Sequence, residues 1–325
     1  MATITVTTAS DVVASDGLRS LREAVTLANA TPGADTIVFA PALEGRTLTL
    51  TQGELVLRQD VVIDGDSNND GKEVVLSGGD HGRIFHALGK GTDVSLKDLV
   101  VTHGRTTGDD GFGGALRADC DTSLRLDHVA VTDSNTGDPN AGGRGIYSAG
   151  SLTLTRSTVN GNSTAIGGLP QYGSYRGDGG GILSKGPLTL IDSTISGNAG
   201  GIGGGISGGA VTLTNSAVSG NYALHEGGGI SGETVFLTNS TINGNAANYG
   251  HGGGISGSVV MLTNSSVSEN RTGEGGVGGI YADTVTLSDS TLSDNLGGGI
   301  YADTVTLLNS TLSDNLNGRG GIYGN

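Results

Sequence analysis

The chain repeats itself. A glycine-rich motif ending in isoleucine recurs at Ile146, Ile182, Ile206, Ile230, Ile255, Ile280, Ile300 and Ile322, in steps of 36, 24, 24, 25, 25, 20 and 22 residues. A second column closes each unit with asparagine, at Asn162, Asn198, Asn221, Asn245, Asn270, Asn295 and Asn315. Between them runs a segment such as Val211-Thr212-Leu213-Thr214-Asn215-Ser216-Ala217-Val218-Ser219. Val211 and Leu213 alternate with Thr212 and Thr214, as in a strand with one face buried. Val218 begins another inward-pointing piece after a bend at Asn215-Ser216, and Ile206 supplies a third wall. A period near 24 is too short for a strand–helix–strand unit and carries no helical stripe. Three short strands and three bends per turn account for it, with successive coils ~4.8 Å apart. One such coil cannot bury its own apolar face, so the array stands only as a stack. The fold class expected is all-β, a right-handed parallel β-helix.

Composition agrees. The 325 residues include 61 Gly, only 4 Phe and no Trp, so small aliphatics must fill a narrow core. Charged residues are 15% and the formal net charge is −15. That acidity disfavours nucleic acid and anionic membranes, both of which need basic patches. It suits a Ca²⁺-rich exterior. A single cysteine, Cys120, excludes an internal disulfide framework. No apolar run is long enough to cross a membrane as a helix. Met1-Ala2-Thr3-Ile4-Thr5 reads as a strand and not as a signal peptide. The expectation is that a signal has been removed, or that export uses a signal beyond Asn325.

The Asn column is read structurally. Stacked Asn side chains can bond up and down at a tight bend, and Asn tolerates the left-handed backbone. The glycine triplets are read as bends that need positive φ. Residues 1–60 differ from the rest. Ser20-Leu21-Arg22-Glu23 is a capping box, and Leu21, Ala24, Val25 and Ala28 make one apolar stripe. A short helix over Leu21–Ala30 is predicted, capping the first coil, with strands resuming at 36–39, 47–50 and 61–63. Stacked coils fill 61–325. The last repeat carries no such cap, which predicts a longer chain or a partner stacked end to end on it.

These residues resemble a known group. Arg19-Ser20-Leu21-Arg22-Glu23-Ala24, with the following helix and Asp35-Thr36-Ile37-Val38-Phe39, resembles the N-terminal CSLREA-type domain of bacterial exported proteins, with Arg19 standing where that motif has Cys. The Gly-Gly-Gly-Ile, Leu-Thr-Asn-Ser-Thr and Asn repeats look like those of polymorphic outer-membrane proteins. The resemblance implies a β-helix on the pectate-lyase plan and a secreted or bacterial cell-surface location. That plan carries lyases, hydrolases, epimerases, adhesins and tailspikes, so it leaves function open.

Candidate chemistry sits in two places. In Asp64-Gly65-Asp66-Ser67-Asn68-Asn69-Asp70-Gly71, residues Asp66, Asn68 and Asp70 alternate before a glycine, as in the first half of an EF-hand loop. Ser77 occupies the twelfth position, so Asp64 or Glu73 would complete a Ca²⁺ site; the alternative is an Asx-rich turn without metal. The second place is the rim of variable loops between each Asn and the next glycine triplet, which should gather along one ridge and form the binding face. The largest, 163–178, holds Tyr172, Tyr175, Arg176 and Asp178. Others carry Arg105, Asp109, Asp110 and Phe112; Tyr222, His225 and Glu226; Tyr249 and His251; Arg271 and Glu274. Such side chains stack on sugars and hydrogen-bond to them.

Asp178, Glu226 and His251 each precede a glycine triplet and should share one column. Glu226 and His251 would lie ~5 Å apart, and Asp178 and Glu226 ~10 Å. Two carboxylates so spaced approach the requirement for inverting glycoside hydrolysis, and a His beside a carboxylate suits proton transfer in a lyase. The plain alternative is a solvated polar row. Tyr249-Gly250-His251-Gly252 contains the Gly-His-Gly of polygalacturonases without its companion motifs. Outward Thr pairs (Thr153 and Thr155, Thr212 and Thr214, Thr286 with Ser288) invite an ice-binding reading, but Phe236, Met261, Ile191 and Leu308 interrupt them. The leading expectation is an adhesin-like or structural module that displays its rim to glycans. The rival is a lyase or hydrolase of an acidic polysaccharide, with Arg176 or Arg271 on substrate carboxylates.

Overall fold

A computed structural model of the chain describes residues 2–106, 111–138, 140–163, 177–273, 275–316 and 321–324. Apart from one helix it is a parallel β-helix, and every strand pairing in it is parallel. Three ladders run the length of the stack. Face 1 passes from Leu55–Leu57 through Phe85–Ala87 and Leu116–Ala118 to Ile322–Tyr323. Face 2 begins with Thr3–Val6 on Asp35–Phe39, and face 3 with Thr47–Thr49 on Val74–Ser77. In the middle coils one strand, such as Ile206–Thr214, serves faces 1 and 2 together.

The inward rows are aliphatic. Ile206, Val211, Leu213 and Val218 are all 0% exposed, and the same four positions repeat as Ile230, Val235, Leu237 and Ile242 one coil on. Burying each such side chain stabilises the stack by about 1.5–3 kcal/mol. A fourth, two-residue ladder lies between the Asn corner and the rim, formed by Ala199–Gly200, Tyr222–Ala223, Ala246–Ala247 and Arg271–Thr272. The three-strand expectation omitted it.

Three corners show why the repeat uses its residue types. Between faces 2 and 3, an Asn or Asp adopts the left-handed conformation (φ 50° at Asn215, 50° at Asn239, 51° at Asp192). The serine that follows turns inward. Ser216 Oγ donates to Thr214 O at 2.8 Å and accepts the Ser193 backbone N–H at 3.1 Å. Ser157, Ser193, Ser240, Ser265 and Ser290 are buried and do the same, making an internal serine ladder.

The second corner bears out the stacked asparagines and corrects only their backbone conformation. The left-handed residue there is the one before each Asn: Gly197, Gly220, Gly244, Glu269 or Asp294. The Asn itself is buried. Asn221 Nδ2 donates to Asn245 Oδ1 at 3.0 Å, and the same oxygen accepts the Asn221 backbone N–H at 3.0 Å. The ladder continues through Asn162, Asn198, Asn270, Asn295 and Asn315.

The third corner corrects the expectation for glycine. In most triplets the first glycine alone has positive φ, as at Gly179 (68°), Gly203 (63°) and Gly227 (63°), while Gly297 (112°) and Gly298 (123°) both have it. The others are glycine because neighbouring coils leave no space. A Cβ on Gly228 would lie 2.4 Å from Gly253 O.

The helix Leu21–Ala30 (α1) matches its predicted bounds. Ser20 and Glu23 form the reciprocal capping box. Its buried face, Leu21, Ala24, Val25 and Ala28, joins the core against Thr3–Val6, Asp35–Phe39 and Leu55–Leu57, the first strands of the stack. Asp11 locks the cap down: it receives Arg22 Nε at 2.9 Å and Nη2 at 3.1 Å, and the backbone N–H groups of Thr51 and Gln52 at 2.6 and 2.9 Å. In the final coil Leu307, Leu308 and Ile322 are exposed.

Candidate functional site

Backbone bonds fix the rim register. Gly143 N–H donates to Asp178 O, Gly179 to Ile202 O, Gly203 to Glu226 O, Gly227 to His251 O and Gly252 to Val277 O, at 2.7–3.2 Å. Asp178, Ile202, Glu226, His251 and Val277 therefore occupy one column in successive coils. Glu226 and His251 are neighbours, while Ile202 separates Asp178 from Glu226. No hydrogen bond among the described residues joins any two of these three candidates. Burial pushes the Asp178 carboxyl above the ordinary range, against the opposing charges of Lys185, Arg144 and His225. The His251 ring stacks on Tyr281 at 4.6 Å and 15°. Tyr249 stands on the rim 61% exposed, and Arg271, paired with Ala246, is also exposed. Tyr172, Tyr175, Arg176 and Glu274 lie outside the described residues, as do Asp109 and Asp110.

A concavity lies beside this column, on the outer surface of face 1. The outward position after each repeated Ile reads Tyr147, Leu183, Ser207, Ser231, Ser256, Tyr281, Tyr301 and Tyr323 in strict register. Tyr281, Tyr301 and Tyr323 stack at 5.2 Å spacing. Three successive serines before that stack leave a trough of about 380 Å³. Its floor is Ser207, Ser231 and Ser256 with adjoining glycines, its sides carry Glu226, Glu233 and Asp283, and Tyr281 also lines it. Of the three rim candidates, only Glu226 reaches it. Burial raises the Tyr281 phenol above its ordinary pKa, helped by Tyr301 and by the carboxylates of Glu226, Asp283 and Asp303, so it stays a hydroxyl donor. Attention to loops alone misses this floor. The signal was present as the Ser-to-Tyr change after the repeated Ile.

The proposed cation loop folds as an Asx-rich turn. Asp66 accepts the backbone N–H groups of Asp70 at 3.0 Å and Gly71 at 2.8 Å, Asn68 accepts that of Asp70 at 2.9 Å, and Asp64 accepts that of Asp66 at 3.2 Å. Asp70 pairs with Lys72 at 2.6 Å, and Asn68 Nδ2 donates to Glu44 at 2.9 Å. Among the described residues no three His, Cys, Asp or Glu side chains converge as a metal site.

A charged network occupies face 1 nearer the cap. Arg83 is buried, pairs with Glu54, and donates to Gly113 O at 3.0 Å and Phe112 O at 2.9 Å. His86 Nδ1 lies 3.3 Å from Glu54 Oε1. Its Nε2 is 3.2 Å from Asp119 Oδ2 without hydrogen-bond alignment. Arg117 Nε donates to Asp119 at 2.8 Å. Burial pushes the Glu54 carboxyl up, but His86 and Arg83 together outweigh it and hold it below the ordinary range. Burial likewise opposes Asp119, and Arg117 and His86 prevail. A carboxyl depressed in the folded state stabilises above its unfolded pKa, about 4, and that stability is lost as pH falls through the folded value. Acidification below pH ~4 is therefore expected to loosen these coils. Hydrogen exchange should show Phe85–Ala87 and Leu116–Ala118 losing protection before the coil at Ile230–Thr238, whose strand holds no ion pair among the described residues. Simultaneous loss along the whole stack would contradict this.

No helix among the described residues is long and apolar enough to cross a membrane. No protein-family model matches the chain, and no curated protein matches it either.

Proposed function

We propose that this chain is a non-enzymatic β-helix module, exported or displayed at a bacterial surface, that binds glycan along face 1. The observation that carries the proposal is the trough: three coils bear Ser where the following coils bear Tyr, beneath a wall of carboxylates. Hydroxyl, carboxylate and tyrosine groups on a rigid sheet match the hydrogen-bonding periphery of a saccharide. The export component rests on the fold and on the resemblance of the N-terminal and repeat motifs. The bonding of Asp178, Glu226 and His251 favours binding over turnover, because no acid is aligned with a base among them.

Asp178, with its raised carboxyl, keeps a second reading worth testing: a hydrolase or lyase working from the rim. A glycan array followed by assays for new reducing ends and unsaturated sugars, with and without Ca²⁺, separates the two. The expected result is binding without turnover, weakened about tenfold or more when a tyrosine replaces Ser207 and fills the trough. Turnover abolished by Glu226→Ala would replace the binding reading with the enzymatic one. An array without a single hit would end both.

A further inference from the structure

We draw no further inference here: the strongest candidate, the apolar patch of Leu307, Leu308 and Ile322 that the final coil leaves exposed at the end of the stack opposite α1, carries none because nothing in the structure shows what covers it.

Discussion

Asn245→Ala is expected to destabilise the stack by about 3–5 kcal/mol, far more than a polar-to-apolar change normally costs. Asn245 is 0% exposed and joins three coils. Its Oδ1 accepts the backbone N–H and the side-chain amide of Asn221, both at 3.0 Å. Its Nδ2 donates to Asn270 Oδ1 at 3.0 Å and to Val218 O at 2.9 Å. Truncation leaves the Asn221 backbone N–H and Val218 O without these partners inside the protein. Each orphaned buried group costs about 1–3 kcal/mol. The alanine also leaves a cavity between stacked coils. The control is Asn264→Ala. Asn264 belongs to a second, exposed asparagine row, donating to Asn239 at 2.7 Å, where water replaces the lost bond. About 0.5 kcal/mol or less is expected there, apart from the strain of Ala at φ 48°. Denaturant unfolding followed by circular dichroism measures both, and equal losses would refute the distinction between the two ladders.

Those two rows show how far the chain is legible before folding. The coil architecture was readable because its signals are local: alternation in Val211 to Thr214, a fixed period, and the Ser20/Glu23 capping box that set α1 to the residue. The inward serines were not, because Ser216 looks like any turn residue. Only the left-handed Asn215 before it rotates its hydroxyl into the core. The same ambiguity holds at Asp66. Alternating oxygens suit a cation loop, but they equally suit an Asx turn, and backbone N–H groups two to five residues away supply the competing donors. The rim column at Asp178, Glu226 and His251 was legible as a position, since register follows from the repeat. Its chemistry was not, since side-chain partners such as Tyr281 arrive from another coil. The trough was missed for a simpler reason. It is made by small residues, and a search for catalytic types passes over Ser207, Ser231 and Ser256.

Glycine is where residue type alone says least, and Gly228→Ala is expected to be among the most damaging single methyl additions to this chain. Gly228 does not have positive φ, so backbone strain is not the reason for its identity. A Cβ there would sit 2.4 Å from the Ala246 carbonyl carbon and 2.4 Å from Gly253 O. Both belong to backbone of the next coil, which is held by its own ladder and cannot swing aside as a side-chain tip would. The coil must separate locally, breaking the bonds that seat Ile230 against Ile206 and Ile255, at a cost above about 4 kcal/mol. Gly209→Ala is the contrasting case. Its Cβ would meet nothing nearer than Glu233 Oε2 at 4.0 Å, in a strand whose backbone any residue can adopt, so it should be neutral or stabilising by up to about 1 kcal/mol. Hydrogen exchange locates the damage. Gly228→Ala should strip protection from Ile206–Thr214, Ile230–Thr238 and Ile255–Thr263 while α1 and its first coils stay protected, because a solenoid couples only to its neighbours. Those three strands carry the trough floor, so the same variant should lose glycan binding, whereas Gly209→Ala keeps it. Retention of both protection and binding in Gly228→Ala would mean that adjacent coils can part by an ångström without cost, and the rigid floor assumed for recognition would not exist.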